Sequence, residues 1–150
     1  MAGGIFALSY GAYAFIALTL GKAELAVFCA TVMGALMAFL WFNIPPARFF
    51  MGDTGSMALG MTLGVIAFLT NSVIVLPIIT LVFVVEGLSF IIQYTSKKLR
   101  GKKVFLSSPL HHHLEAVGWP EYKITMRFWI ISGVASVAGL IIALVGRGIV

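Results

Sequence analysis

Five long apolar runs separated by short polar gaps decide what this chain can fold into before any single residue is weighed. They cover residues 5–20, 25–42, 57–70, 73–92 and 128–145. A helix needs about 20 mostly apolar residues to cross roughly 30 Å of hydrocarbon. Inside lipid, each backbone amide must be satisfied within its own helix or in a closed barrel. Transmembrane barrel strands alternate apolar and polar residues over about ten positions, whereas these runs are continuously apolar. The expected fold is therefore all-α: a polytopic transmembrane bundle of about five helices, forming a single membrane domain over residues 1–150. A polar loop at 94–123 is its one sizeable element outside the bilayer. A soluble fold is excluded, because 61% of the residues are hydrophobic, 10% are charged and the mean hydropathy is +1.07. One core cannot hide that much apolar surface.

The run at 57–70 is short, and only the uncharged turn signal Thr70-Asn71-Ser72 divides it from the next. Two crossings are expected there, with a re-entrant hairpin as the alternative. The first run has no basic residue before it and reads as a retained span, not a signal peptide. If residues 43–53 and 93–127 share one side, that side holds Arg48, Lys97, Lys98, Arg100, Lys102, Lys103, Lys123 and Arg127. The other side holds only Lys22 and Arg147. The positive-inside rule places the richer side in the cytoplasm, with the amino end inside and the carboxyl end outside. The net charge of +5 is then a topology signal and not a nucleic-acid footprint. The basic cluster at 97–103 reads as contact with anionic membrane lipids, with an added pull on an anionic substrate. The lone Cys29 excludes intrachain disulfides and Cys-based zinc sites. Gly60 and Gly64, four residues apart, read as a site of close helix packing.

Two polar islands interrupt the apolar pattern. In the first, Phe49-Phe50-Met51-Gly52-Asp53-Thr54-Gly55-Ser56, the preceding Pro45-Pro46 is expected to end the second helix, and two glycines bracket Asp53 for a tight turn. On spacing alone Asp53 reads as a helix cap, a role open also to Thr54 or Ser56. The functional alternative is a ligand for Mg²⁺, a hard cation shared between carboxylates and substrate phosphates. Phe49 and Phe50 are interface anchors or a stacking platform for a nucleobase. In the second island, Pro109-Leu110-His111-His112-His113-Leu114-Glu115, an extended backbone would put His111 and His113 on one face and His112 on the other. That disfavours a three-histidine zinc site. Imidazoles there suit hydrogen bonding to phosphate or proton movement. Glu86 is the single acid within an apolar run and reads as structural, paired with a polar group or set in a wet cleft. Gln93 reads as an interface residue or a ligand contact.

Read together, Phe49 to Gly60, Phe83-Val84-Val85-Glu86, the histidine island with Gly118-Trp119-Pro120-Glu121, and Arg127-Phe128-Trp129-Ile130-Ile131-Ser132 closely resemble the bacterial phospho-N-acetylmuramoyl-pentapeptide transferases. The triple histidine followed by Glu, Gly-Trp-Pro-Glu and Arg-Phe-Trp favours this family over relatives that use UDP-N-acetylglucosamine. The resemblance implies a multi-pass enzyme of the bacterial inner membrane with its active face in the cytoplasm. Such an enzyme moves phospho-N-acetylmuramoyl-pentapeptide from UDP onto undecaprenyl phosphate, releasing UMP and forming lipid I. It implies Asp53 as a catalytic Mg²⁺ ligand and His111, His112 and His113 as catalytic residues of the nucleotide-sugar site. His112 and His113 also bind substrate, Phe50 stacks on uracil and Gln93 contacts the nucleoside. A homodimer is implied as well.

The resemblance covers the carboxyl-terminal half of the family only. A paired-Asp motif with a nearby Lys and a later Asn/Asp-Gly-Asp-Gly motif belong to the family's amino half and do not occur here. The five acids are Glu24, Asp53, Glu86, Glu115 and Glu121, so no local pair gives Asp53 a second carboxylate. The isolated chain is accordingly expected to be inactive or very weak, completed by a separate amino half or else a degenerate fragment. A non-catalytic membrane assembly subunit is the alternative. An ion or metal transporter is disfavoured, because Glu86 is the only acid at depth and no inverted repeat is visible. The central expectation is that Asp53 and the histidines meet at one inner-leaflet pocket that grips magnesium pyrophosphate.

Overall fold

A computed structural model describes residues 1–44 and 47–148. Pro45 and Pro46, expected to end the second helix, lie outside the described residues. Among those described, all regular structure is helical. The fold is a polytopic helical bundle built around α1 (Ala2–Thr19), with α2 (Ala23–Asn43), α3 (Asp53–Leu69) and α7 (Glu121–Val145) beside it. Burial identifies the centre: 61% of α1 is buried, against 22% and 33% of equally long windows of α2 and α7. Tyr10 and Tyr13 of α1 are fully buried, and a buried phenol needs an acceptor. They donate to the carbonyls of Leu59 (2.9 Å) and Ser72 (3.1 Å), which ties α1 to the middle of α3 and to the turn that follows it.

Length and composition give three to four candidate spans, against the about five expected. Among the described residues α1, α2 and α7 are long and apolar enough to span, and a bent pair adds a fourth at most. Helix α3, with 17 residues, is about 25 Å long, at the lower end of what crosses the hydrocarbon. The run at 73–92 is not one helix. It folds as a 3₁₀ turn (Val73–Val75), α4 (Leu76–Ile79) and α5 (Leu81–Arg100), with an 80° bend between α4 and α5. Pro77 removes an amide and sits in the first turn of α4. At the break, the Thr80 hydroxyl donates back to Leu76 O at 2.7 Å, a bond that competes with the backbone ladder and favours bending.

Two other readings are corrected. Gly60 and Gly64 make no close approach among the described residues: a Cβ at Gly60 would meet only Phe6 Cζ at 3.9 Å, and one at Gly64 would meet nothing within 4 Å. The tight approaches are at Gly4, against Trp129, and at Gly139, against Ile79. The segment 94–123 is also not simply a loop, because α5 continues to Arg100 and α6 (Leu110–Ala116) follows.

Lys22 and Arg147, the two cations expected on the charge-poor side, share one task. Helix α3 ends with carbonyls that have no intrahelical partner. Lys22 donates to Leu69 O, and Arg147 to Thr70 O, Asn71 O and Ser72 Oγ. These contacts place the end of α3, the start of α2 and the end of α7 together. Asp53, at the other end of α3, therefore lies at the end of the bundle where α1 and α7 begin. Trp129 Nε1 donates to Met1 O there at 3.0 Å.

Candidate functional site

Helix α6 carries the histidines. Pro109 is its N-cap, and the chain leaves it through Gly118 at φ 97°, a left-handed value that suits glycine, with Trp119 N donating to Leu114 O. Leu110 and Leu114 pack with Ile5, Val82, Ile124 and Phe128, so α6 is seated against α1, α5 and α7 near Met1. On a helix successive side chains step round by about 100°. The two-faced arrangement expected of an extended strand is therefore replaced by three rings with three different surroundings.

His111 is held by Glu86. Its backbone amide donates to Glu86 Oε1 at 3.1 Å, and its Nδ1 lies 2.8 Å from Oε2. Ser89, one turn along α5, takes the preceding amide of Leu110 at 3.0 Å. The Glu86 hydrogen bond is the main cause that pushes His111 above its ordinary value of 6.5. Burial opposes the rise, the charges of Glu86 and Glu115 add to it, and the Met1 amino group works against it. His112 Nδ1 lies 2.8 Å from Glu115 Oε2 at the helix surface. His113 Nδ1 accepts the amide of Leu106 at 3.2 Å, and its ring meets Phe105 edge-on. The rings of His111 and His112 are 4.1 Å apart.

Gln93 is engaged with the segment before α6. Its Oε1 accepts the amides of Val104 (3.0 Å) and Phe105 (2.9 Å), while Nε2 donates to Phe105 O (2.9 Å). A glutamine amide has two acceptor sites and two donors, so one Nε2–H is left for a ligand.

Asp53 is exposed in the first turn of α3. The capping reading is corrected: Gly52 at φ 22° is the N-cap and no side chain caps the helix. Ser56 instead donates back to the carbonyls of Gly52 and Asp53. The Asp53 carboxylate thus makes no hydrogen bond or ion pair among the described residues, and it sits at the positive end of the helix dipole. Among those residues no cluster of three or more His, Cys, Asp or Glu could hold a metal. A single open carboxylate suits a shared Mg²⁺, completed by phosphate oxygens and water, and not a closed protein cage.

The two aromatics of the first island separate. Phe49 packs on Phe39 and Phe42, with ring centres 5.4 and 5.8 Å away. Phe50 is 79% exposed and lines a cleft of about 200 Å³ with Met1, Asn43, Glu121, Tyr122 and Trp129. Asp53, Gln93 and the histidines do not line that cleft. The structure therefore brings His111 to Glu86, His112 to Glu115 and Gln93 to the loop before α6, and gives Phe50 a cleft of its own. Asp53 shares with the histidines the Met1 end of the bundle. Sequence reasoning missed Ser89, and it missed Trp119, whose ring lies under Lys123 (4.9 Å) and Arg127 (4.4 Å). The four-residue spacing of those cations on a helix was the available signal.

Comparison with known proteins adds relatives. Residues 1–71 match the glycosyl transferase family 4 profile. The chain is 55% identical over 120 residues to a phospho-N-acetylmuramoyl-pentapeptide-transferase of Granulibacter bethesdensis, covering 80% of this chain and 33% of that protein. A transferase of the same name from Geobacillus thermodenitrificans is 48% identical over 143 residues, 95% of this chain and 42% of its own length. The Pelagibacter ubique protein of that name is 52% identical over 120 residues, again 80% and 33%. This stretch of chain is similar to phospho-N-acetylmuramoyl-pentapeptide-transferases, 48% to 55% identical over 80% to 95% of its length. It spans between 33% and 42% of the length of these phospho-sugar transferases.

Proposed function

We propose that this chain supplies part of the active site of a Mg²⁺-dependent phospho-N-acetylmuramoyl-pentapeptide transferase at the cytoplasmic face of the bacterial inner membrane. In that reaction an oxygen of undecaprenyl phosphate attacks the sugar-linked phosphorus of UDP-N-acetylmuramoyl-pentapeptide, UMP leaves and lipid I forms. The observation that carries this reading is the 48% identity over 143 of the 150 residues, a match long enough to take in both Asp53 and the histidine helix.

The residues fit the chemistry. Asp53 would hold Mg²⁺ together with pyrophosphate oxygens, and the bound ion would offset the charge that builds on the phosphates. The imidazoles at the same end of the bundle present donors to those oxygens, which is where preorganised positive charge lowers a barrier. Phe50 offers an open ring face for uracil, and the spare Nε2–H of Gln93 can meet a nucleoside carbonyl. Lys123 and Arg127, braced on Trp119, add positive charge close to the carboxyl end of α6. The lipid substrate suits an apolar bundle whose polar end holds all these groups.

The test is lipid I formation from labelled nucleotide-sugar by the chain alone and by the chain co-expressed with the amino half of a relative. Wild type is compared with Asp53→Asn and His112→Ala. Product is expected in the complemented wild type and at least a hundredfold less in Asp53→Asn, the scale on which removal of a charge-stabilising group acts. Equal product from all versions would overturn the site. Full activity of this stretch alone would overturn the reading that it holds only part of the site.

A further inference from the structure

Glu86 is costly where it stands. It is 9% exposed in a helix that follows directly on an apolar run, and a carboxylate so placed persists only with good partners. It has two, both from one residue 25 positions away: the backbone amide and the ring Nδ1 of His111. An ionised carboxylate can only accept, so Nδ1 carries a proton and the unpartnered ring nitrogen of His111 is Nε2. The other two rings are committed differently. His113 takes a backbone amide on Nδ1, which requires that nitrogen to be unprotonated, and the ring is therefore the neutral Nε2–H tautomer. His112 is tied to Glu115 at the surface, with its side chain 51% exposed, and two charged rings 4.1 Å apart oppose one another.

We infer that Glu86 is a positioning residue that makes His111 the charged member of the triplet, so that its Nε2–H is a cationic donor to a phosphate oxygen of the substrate. The inference rests on the transferase reading for the identity of that substrate, and on geometry alone for the state of the ring. The groups that face His111 are Glu86 from α5, His112 and Glu115 from α6, and the Met1 amino group from α1. Glu86 and Ser89 also take the first two amides of α6, so the ring and the helix that carries it are fixed by the same two side chains of α5.

The experiment uses the chain with ¹⁵N-labelled histidine in lipid nanodiscs and follows each ring through a pH titration by NMR. In wild type, His111 is expected to titrate above 6.5, its ordinary value, and to hold its proton on Nδ1 when neutral. In Glu86→Gln, which keeps an acceptor for the backbone amide, the His111 midpoint falls. Ser89→Ala loosens α6 without changing charge and leaves that midpoint where it was, which separates positioning from mere stability. Binding of inorganic pyrophosphate with Mg²⁺ to the complemented protein is then measured in both backgrounds. The affinity of Glu86→Gln relative to wild type is expected to fall about tenfold between the two His111 midpoints and to return toward one below both, because a charged donor is the stronger by about that factor. An identical His111 midpoint in wild type and Glu86→Gln overturns the inference with no reference to the transferase reading. A shifted midpoint with a constant affinity ratio overturns the phosphate contact, and a failure of pyrophosphate to bind either protein overturns the transferase site itself.

Discussion

Replacing Gly139 by alanine tests the contact on which the bent span rests. A Cβ at Gly139 would lie 2.5 Å from Ile79 Cγ1, 3.3 Å from Ile79 N and 3.4 Å from Ile79 Cδ1. Ile79 is fully buried, its branched side chain has little rotamer freedom and its own backbone stands directly behind it. The side chain cannot swing clear, so α4 must move away from α7. Overpacking of this kind costs about 1–3 kcal/mol, while alanine recovers up to about 1 kcal/mol of helix propensity over glycine. Gly133, on the same helix with nothing within 4 Å of an added Cβ, gives the matching control. The propensity gain is common to both substitutions, so their difference isolates the clash. At about 2–4 °C per kcal/mol for a chain of this size, Gly139→Ala should melt about 2–12 °C below Gly133→Ala. The assay is the thermal midpoint by circular dichroism in detergent micelles. Equal midpoints for the two variants would refute the argument that α4 is locked against α7 at this point.

Four further outcomes follow. Arg147→Ala removes the donors to Thr70 O, Asn71 O and Ser72 Oγ and should lower stability by about 1.5–3 kcal/mol in the same melting assay, the range for a charged hydrogen bond. Gln93→Ala frees Val104 and Phe105, so trypsin cleavage after Lys102 and Lys103 should quicken severalfold while far-ultraviolet dichroism stays unchanged. Asp53→Asn should abolish the Mg²⁺ dependence of lipid I formation in the complemented protein and leave stability within about 0.5 kcal/mol of wild type, as for other surface changes. The sign of the pH effect is fixed because His111 is raised in the folded state: its contribution is full below 6.5 and is lost as pH rises through the higher folded value. Trp119 fluorescence should report loosening of α6 above that point in wild type, and the dependence should weaken in Glu86→Gln.

The fold was legible where the solvent dictates it. Lipid requires long apolar helices, and each of the five apolar runs coincides with a helix or a bent helix pair. What stayed hidden depends on neighbours. Gly60 and Gly64 have the spacing of a packing seam, but spacing says nothing about whether another helix is present, and Gly139 made the close approach with no motif to announce it. The bend left a trace in Pro77, whereas its position at Thr80 reflects a side-chain bond back to Leu76 O that propensity does not encode. At the candidate site, Glu86 could be singled out because a buried acid is expensive. Its partner could not, because 25 residues and a change of direction lie between them. Reading the histidines as extended backbone hid the pairing of His112 with Glu115, which is an ordinary three-residue contact once the segment is a helix.

The bend explains why these pieces belong together. Continued straight, residues 73–100 would form a rod of about 40 Å, longer than the roughly 30 Å of hydrocarbon. Turning by 80° at Thr80 packs the short first part against the middle of α7 and sends α5 off in a new direction, with Val82 still against Ile124 and Phe128 near the start of α7. Glu86 and Ser89 fall within the first three turns after that break, where Val82 and Phe83 still pack against Ile5 and Phe6 of α1. They meet the first two amides of α6, so a helix of seven residues, too short to hold its shape unaided, is anchored at its beginning by side chains from another element. One of those two side chains, Glu86, also sets the charge of the first histidine of α6. A change at Glu86 should therefore alter the charge at the site and the order of α6 together, whereas a change at Ser89 should alter the order alone.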